Sequence, residues 1–288
     1  IDEFHHAEAP TYNALLSHFE PDELLGLTAT PERGDGKNVQ QYFDYRIAHE
    51  LRLWDALRLQ LLVPMHYYGI ADGTDLSSLT WNRGKKDYNT TELSEFYIKS
   101  GEKRTRFILN ELDKRIFDLS EMKAIGFCVS IAHAEHMAQQ FQHFGIPAQA
   151  VTSKLTSSER AEAIQQLESG AIKALFSVDI FNEGVDIPAV NTLLLLRPTQ
   201  SPVIFLQQLG RGLRLAPGKD SCTVFDFIGQ QHVEYDFERK FNALTRKRGK
   251  RLLTEIEQGF PIGREAQSST HMCVCVLSNI CLLYTSPS

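Results

Sequence analysis

The chain has 288 residues, room for about two compact domains at roughly 150 residues each. Its make-up, 42% hydrophobic and 23% charged, excludes a collagen, a coiled coil and a wholly disordered protein. Thirty Lys and Arg against 36 Asp and Glu leave a net charge of −6, which excludes a uniformly basic nucleic-acid coat but allows a local basic groove.

No apolar stretch is long enough to cross a bilayer; the longest, near Val274 to Tyr284, is broken by Ser278 and Asn279. Five cysteines are too few and too irregular for a disulfide scaffold. Three of them, Cys273, Cys275 and Cys281, crowd near the end, and Cys128 and Cys222 in the body suit a reducing cytoplasm.

In chain order, Tyr12, Leu15, Leu16 and Phe19 have helical spacing. Leu24 to Leu27 reads as a short buried strand running into Thr28, and Leu53 to Leu62 as a helix. Residues 69–94 turn polar and rich in Gly, Asp and Thr, the composition of an irregular insertion. A regular alternation follows. Ile108, Leu112 and Ile116 share a helical face before a strand at Ala124 to Val129. Ala134, Met137, Phe141 and Phe144 mark a second helix, closed by Gly145, with a strand at Ala148 to Thr152. Thr156 and Glu159 have capping-box spacing at the head of a third helix carrying Ala161, Ile164 and Leu167. Strands are expected at Lys173 to Val178, Asn191 to Leu196 and Thr223 to Ile228, with Ser201-Pro202 opening a helix between the last two. This alternation predicts an α/β fold, a parallel sheet with helices on both faces, whose ligands lie beyond the carboxyl ends of the strands.

Four stretches carry candidate chemistry. Asp2 and Glu3 stand side by side after Ile1, a pairing that suits Mg²⁺ and the polarising of an attacking water, although an isolated acidic pair is more often a solvated turn. Thr28-Ala29-Thr30-Pro31 by itself is no more than a turn. In Asn182-Glu183-Gly184-Val185-Asp186-Ile187-Pro188, Gly184 admits a close ligand and Asp186 could bond a sugar hydroxyl. In Gln207-Gln208-Leu209-Gly210-Arg211-Gly212-Leu213-Arg214 the two arginines are three apart, so one helical turn would bring both forks to one side, as a transferring phosphate requires. Two surface arginines near a helix end are the plain alternative.

Taken in order, the four resemble motifs II, III, V and VI of the superfamily 2 DExH-box helicases, and Phe127-Cys128-Val129-Ser130 is similar to motif IV. Ile1 to Arg33 and Asn182 to Gln231 look most like bacterial DExH proteins with a helicase core related to type III restriction enzymes, in which a further domain follows the second motor domain.

The resemblance implies two RecA-like domains with ATP in the cleft between them. Asp2 and Glu3 would serve Mg²⁺ and water, Arg211 and Arg214 would reach the phosphate, Asp186 the ribose, and Gln207 with Gly184 and Gly210 would shape the nucleotide face. His5, Thr28 and Thr30 would couple nucleotide state to the strand, and Ser130 and Asn182 would lie towards its phosphates. Val178 departs from the pattern, standing where many relatives place a phosphate-binding Thr.

The expected partner is nucleic acid, DNA, with no membrane. The expected activity is ATP-dependent helicase or translocase action; the alternatives are a double-stranded DNA translocase of a restriction system, a non-hydrolysing binding module, and an unrelated Mg²⁺-dependent hydrolase.

The expected organisation is a remnant of motor domain 1 over 1–60, motor domain 2 over 61–229 with its insertion at 69–94, and the start of a helical domain over 230–261. Residues 262–288 are set aside as foreign, because Cys281 to Ser288 reads as a translated sequencing adapter. No Gly-x-x-x-x-Gly-Lys-Ser/Thr loop is present; Gly218-Lys219-Asp220 lacks its leading glycine and closing hydroxyl, so these residues alone are expected not to hydrolyse ATP. Arg239 to Arg251, with seven basic residues and no acid, is either a helix on nucleic-acid backbone or a solvated connector. His133 and His136 are expected on a solvent face.

Overall fold

The computed structural model describes residues 1–2, 4, 7, 10–19, 22–28, 39–178, 187–236 and 239–240, with a two-residue strand at 275–276. The chain forms two compact units, Ile1–Ala56 and Leu57–Ser288.

In the first unit, Phe4 is buried with Ala7 and Val39, and Leu16, Leu24, Tyr42 and Phe43 pack around them. Helix α1 (Pro10–His18) forms as its periodicity predicts, yet Leu15 and Phe19 are exposed and only Leu16 reaches this cluster. The backbone at Leu25 and Leu27 runs beside the first residues: the Ile1 amino group donates to Leu25 O, Leu27 N to Ile1 O and Phe4 N to Leu27 O. Gly26 belongs there because a Cβ would strike the Phe43 and Phe4 rings. The expected buried strand at Leu24 to Leu27 is corrected: no strand forms, and Leu25 and Leu27 are 63% and 53% exposed. Among the described residues only Ile1 and Phe4 bond its backbone, so it lacks the second neighbour that buries a strand's faces.

The second unit is built on a parallel sheet. Helix α2 (Leu53–Arg58), shorter than expected, leads into strand β1 (Met65–Asp75). A hairpin of β2 (Trp81–Asn82) and β3 (Asp87–Tyr88) precedes α3 (Thr90–Lys99) and α4 (Gly101–Arg115). Then come β4 (Ala124–Phe127), α5 (Ile131–His143), β5 (Ala148–Ala150) and α6 (Ser157–Ser169). The series ends with β6 (Ala174–Ser177), β7 (Thr192–Leu195), α7 (Pro202–Gly212), β8 (Cys222–Gln230) and a two-residue strand β9 (Cys275–Val276). The sheet order is β5-β6-β4-β7-β8-β1-β9, with every pairing parallel. This is the RecA-like α/β architecture.

Its core follows the two-residue period of a strand. Leu194 and Phe176 face one side, against Ile108 and Leu112 of α4 and Met137 and Phe141 of α5. Leu193 points the other way, towards α7, where a Cβ on Gly212 would come within 2.8 Å of it and 2.5 Å of Cys222 Sγ. Helices thus cover both faces, which is why β4, β6 and β7 are buried at every position. Thr156 and Glu159 close the expected capping box, Ser201 caps α7 ahead of Pro202, and Gly145 takes the left-handed φ of +82° after α5.

Residues 69–94 are not an irregular insertion, a second correction. Residues 69–75 complete an eleven-residue strand paired with β8 from Met65↔Cys222 to Ala71↔Ile228, and Thr90 onwards is helix, capped by the Asn89 side chain.

Candidate functional site

Asp2 is exposed between Ile1 and Phe4, and the backbone bonds of Leu25 and Leu27 bring half-buried Thr28 close to it in the fold. The starts of the motif II and motif III stretches are therefore neighbours. Glu3, His5 and Thr30 lie outside the described residues, as do Asn182, Gly184 and Asp186. Among the described residues no group of His, Cys, Asp and Glu is arranged to hold a metal, and no helix is long and apolar enough to cross a membrane.

The Gln207 to Arg214 stretch is the carboxyl-terminal part of α7. Gln207, Gly210 and Arg211 are half-buried; Leu213 caps the helix, and Arg214 follows just outside it, so the two arginines do not share one regular helical turn. α7 begins beyond the carboxyl end of β7 and runs back across the sheet, so its arginines lie at the amino edge. Three bonds fix this. Val63 N, just before β1, donates to Leu213 O, while Lys219 Nζ donates to Arg214 O and to Pro188 O, each at 2.9 Å. Pro188 precedes β7, so Lys219 ties the end of the motif V stretch to the end of motif VI. Burial lowers the Lys219 pKa. Gly218-Lys219, which fails as a phosphate loop, instead forms a turn in which the left-handed glycine (φ +72°) presents the lysine to carbonyls; the glycine before it is the signal in the sequence for that turn.

Ser130 stands at the opposite, carboxyl edge, following β4. Its hydroxyl caps α5 by accepting from His133 N, and it lies 2.5 Å from Ser94 Oγ of α3. The expectation that all the chemistry gathers beyond the carboxyl strand ends is therefore corrected: the candidate strand-facing Ser130 is there, while Arg211 and Arg214 are a strand's length away, about 13 Å for four residues at ~3.3 Å each.

Behind Ser130 runs a buried polar stack. The Asp72 carboxylate of β1 accepts from Arg104 Nε at 3.0 Å, with both side chains at most 3% exposed. The Arg104 guanidinium lies 4.0 Å from the centre of the Tyr97 ring, and the His133 imidazole stacks on Tyr97 at 5.1 Å. His133 is fully buried rather than on a solvent face, and His136 is half-buried against Gly101, which corrects the expectation for both. Helical spacing alone could not show that α3 and α4 cover that side of α5.

The His133 Nδ1 accepts from Val129 N, and its Nε2 has no partner among the described residues. Burial, then the Arg104 charge, holds its pKa well below the ordinary histidine value of 6.5. The native state therefore refuses a proton that the unfolded chain accepts below that value, so this group's stabilisation is present above pH ~6.5 and lost as pH falls, by at most about 1.4 kcal/mol per pH unit. His133→Gln, which keeps an acceptor for Val129 N, is expected to flatten the decline in melting temperature between pH 6.5 and 5.5. An unchanged decline would mean this imidazole is not the group responsible.

Of the basic run, Arg239 and Lys240 are described. Lys240 is not on a solvated face: it is 2% exposed and ion-paired with Asp226, which also accepts from Tyr67 Oη. Cys128 and Cys222 are free and buried, and burial pushes the Cys222 thiol up to about 12.

Two family models match the chain: the helicase conserved C-terminal domain over residues 107–216, and the type III restriction enzyme res subunit over 1–33. The two matches fall on the motif IV to VI stretch and on the Asp2–Thr30 stretch respectively. The chain belongs to the superfamily 2 helicases. Its core is of the restriction-enzyme kind.

This superfamily 2 helicase chain is 28% identical over 271 residues to a 51.5 kDa protein of a Lactococcus phage, covering 89% of the chain and 56% of that protein. It is 30% identical over 239 residues to IRC3 of Saccharomyces cerevisiae, covering 81% and 34% respectively. It is 26% identical over 242 residues to the DNA 3'-5' translocase XPB2 of Sulfurisphaera tokodaii, covering 74% and 55%. The helicase chain thus spans about a third to just over half the length of these relatives. Among solved structures, the ATP-dependent type ISP restriction-modification enzyme LlaBIII bound to DNA matches with a TM-score of 0.59 at 17% identity, covering 90% of the chain and 21% of that enzyme.

Proposed function

We propose that this chain is the carboxyl-terminal part of an ATP-dependent helicase or translocase that moves on DNA in the cytoplasm. The observation that carries the reading is the placement of unlike chemistry on opposite edges of one sheet: Arg211 and Arg214 at the amino edge, Ser130 at the carboxyl edge. The guanidinium forks suit a nucleotide phosphate. Gly210 supports this, since a Cβ there would meet nothing within 4 Å, leaving room beside Arg211.

In this reading Asp2 and Glu3 serve Mg²⁺ and the attacking water, Arg211 and Arg214 steady the transferring phosphate, and Asp186 bonds the ribose. Gly184, Gln207 and Gly210 shape the nucleotide face. ATP and Mg²⁺ supply the phosphoryl chemistry when bound. His5, Thr28 and Thr30 relay nucleotide state, while Ser130 and Asn182 meet the strand. Similarity to a protein named as a DNA 3'-5' translocase favours DNA. Duplex tracking without strand separation is the second reading, favoured by the restriction-type match over residues 1–33.

The test joins a phosphate loop ahead of Ile1 in frame and measures ATP hydrolysis with and without DNA. Stimulated hydrolysis that Glu3→Gln removes is the expected result. Hydrolysis that ignores DNA, or survives Glu3→Gln, would sink the motor reading. Strand displacement separates unwinding from tracking. Without that loop, the 288 residues are expected to leave ATP intact.

A further inference from the structure

The hairpin β2–β3 takes no part in the roles assigned above, yet it is built with care. Tyr88 is buried and its hydroxyl donates to Gln231 Oε1 at 2.9 Å while accepting from His232 N. The Trp81 indole stacks flat on the His232 ring, 5.2 Å between centroids and 1° between planes. Gln200 Nε2, in the segment between β7 and α7, donates to Lys86 O at 2.9 Å. The hairpin follows β1 and its anchors belong to segments following β7 and β8, so it is fastened across the carboxyl edge of the parallel sheet.

Its tip reads Arg83-Gly84-Lys85-Lys86, and all four residues are exposed. Lys86 holds a left-handed φ of +52°, a conformation that costs a lysine about 1 kcal/mol or more and is kept here by the Gln200 bond to its carbonyl. Two acids lie close. Glu234 pairs with Arg83 at 2.9 Å, but the Arg83 side chain is 84% exposed, so a phosphate can replace that partner at little cost. Asp87 feels the charges of Arg197 and Lys85. The hairpin also lies near Ser130: Asn89 after β3 caps α3, and Ser94, five residues into that helix or about 7.5 Å along its axis, bonds Ser130.

We propose that this hairpin is a second contact for the nucleic-acid backbone, with Arg83, Lys85 and Lys86 taking phosphates of the strand that passes Ser130. The inference rests on the motor reading for the strand's path. A rigid aromatic base with cations on a tight tip grips a repeating phosphate without reading bases. The contact is therefore sequence-independent and salt-sensitive.

The test uses the 288-residue chain and a fluorescein-labelled single-stranded oligodeoxynucleotide, with binding followed by anisotropy across a salt series. Each phosphate contact to a single strand contributes about 0.7 to the slope of log affinity against log salt. The triple variant Arg83→Ala, Lys85→Ala, Lys86→Ala is expected to lower that slope by about 2, and Lys85→Arg with Lys86→Arg to keep it. Lys103→Ala with Lys114→Ala, exposed cations of α4, is expected to leave it unchanged. Wild-type binding with an unaltered slope in the triple variant overturns the hairpin contact and spares the motor reading. An equal loss in the α4 control, or a loss in the arginine-preserving pair, also overturns it. No binding by wild type even at low salt overturns the motor reading and this contact with it. The tip side chains are exposed, so an unchanged melting temperature is expected of every tip variant.

Discussion

In a protein supplying a phosphate loop ahead of Ile1, Arg211→Ala is expected to slow DNA-stimulated ATP hydrolysis by about 10³-fold or more, the scale of an arginine that meets a transferring phosphate. That corresponds to about 4 kcal/mol of lost transition-state stabilisation. The geometry prepares such a role. Arg211 sits in the last turn of a helix capped by Ser201 and started by Pro202. One residue on, Gly212 lets that turn lie flat on Leu193 and Cys222. The chain beyond is tied down through Leu213 O and Arg214 O. A side chain delivered from so fixed a base loses little freedom on meeting its target. The fall should appear in kcat, with nucleotide affinity changed far less, because the charge it steadies develops only in the transition state. Arg211→Lys should recover only part, since an ammonium cannot grip two oxygens at once. Steady-state kinetics and nucleotide titration of the three proteins decide it; hydrolysis by the alanine variant within threefold of wild type would remove Arg211 from the phosphate's surroundings.

The largest effect on folding is expected from Arg104→Met. The substitution leaves the Asp72 carboxylate, 0% exposed, without its cation. Breaking a buried pair from one side costs about 3–5 kcal/mol, while replacing both partners by apolar groups is often neutral. For a unit of this size the loss amounts to a melting point lower by on the order of 10 °C. Asp72 keeps the Thr74 N and Oγ1 bonds, at 3.0 and 2.5 Å, which hold it in place but supply no opposite charge. The double variant Asp72→Leu, Arg104→Met should recover much of the loss. Thermal unfolding followed by circular dichroism reads both; a single variant melting within 2 °C of wild type would mean the carboxylate is not enclosed.

Asp72 also explains what could be read from the amino acids alone and what could not. Caps and turns were legible because they are local: Thr156 and Glu159, Ser201 and Pro202, and Gly145 each act within a few residues. The fully buried strands were legible as apolar runs between helices. The carboxyl half of β1 was not, because its polar residues find their partners far along the chain, Asp72 at Arg104 and residues 65–71 at β8. Composition describes such a segment as a loop; tertiary pairing makes it a strand. His133 was misjudged for the same reason, since the ring that covers it belongs to another helix. The candidate site divides similarly. Arg211 and Ser130 were named from their motifs, but their separation onto two edges depends on the direction in which α7 returns, and Lys219 becomes visible only once Pro188 and Arg214 are side by side.

That separation has a mechanical consequence. The strands between the two edges are short, parallel and filled on both sides, and a close-packed interior is stiff rather than compliant. On the motor reading proposed above, such a slab would work as a lever arm: force arriving at the arginine edge would emerge at the Ser130 edge as tilt of the whole body, with little absorbed in between. On that reading the working stroke would be set by how far the body pivots, and small angles would suffice. A rotation of 10° moves a point 13 Å from the pivot by roughly 2 Å, a sizeable part of the rise per base along a DNA strand, about 3.4 Å.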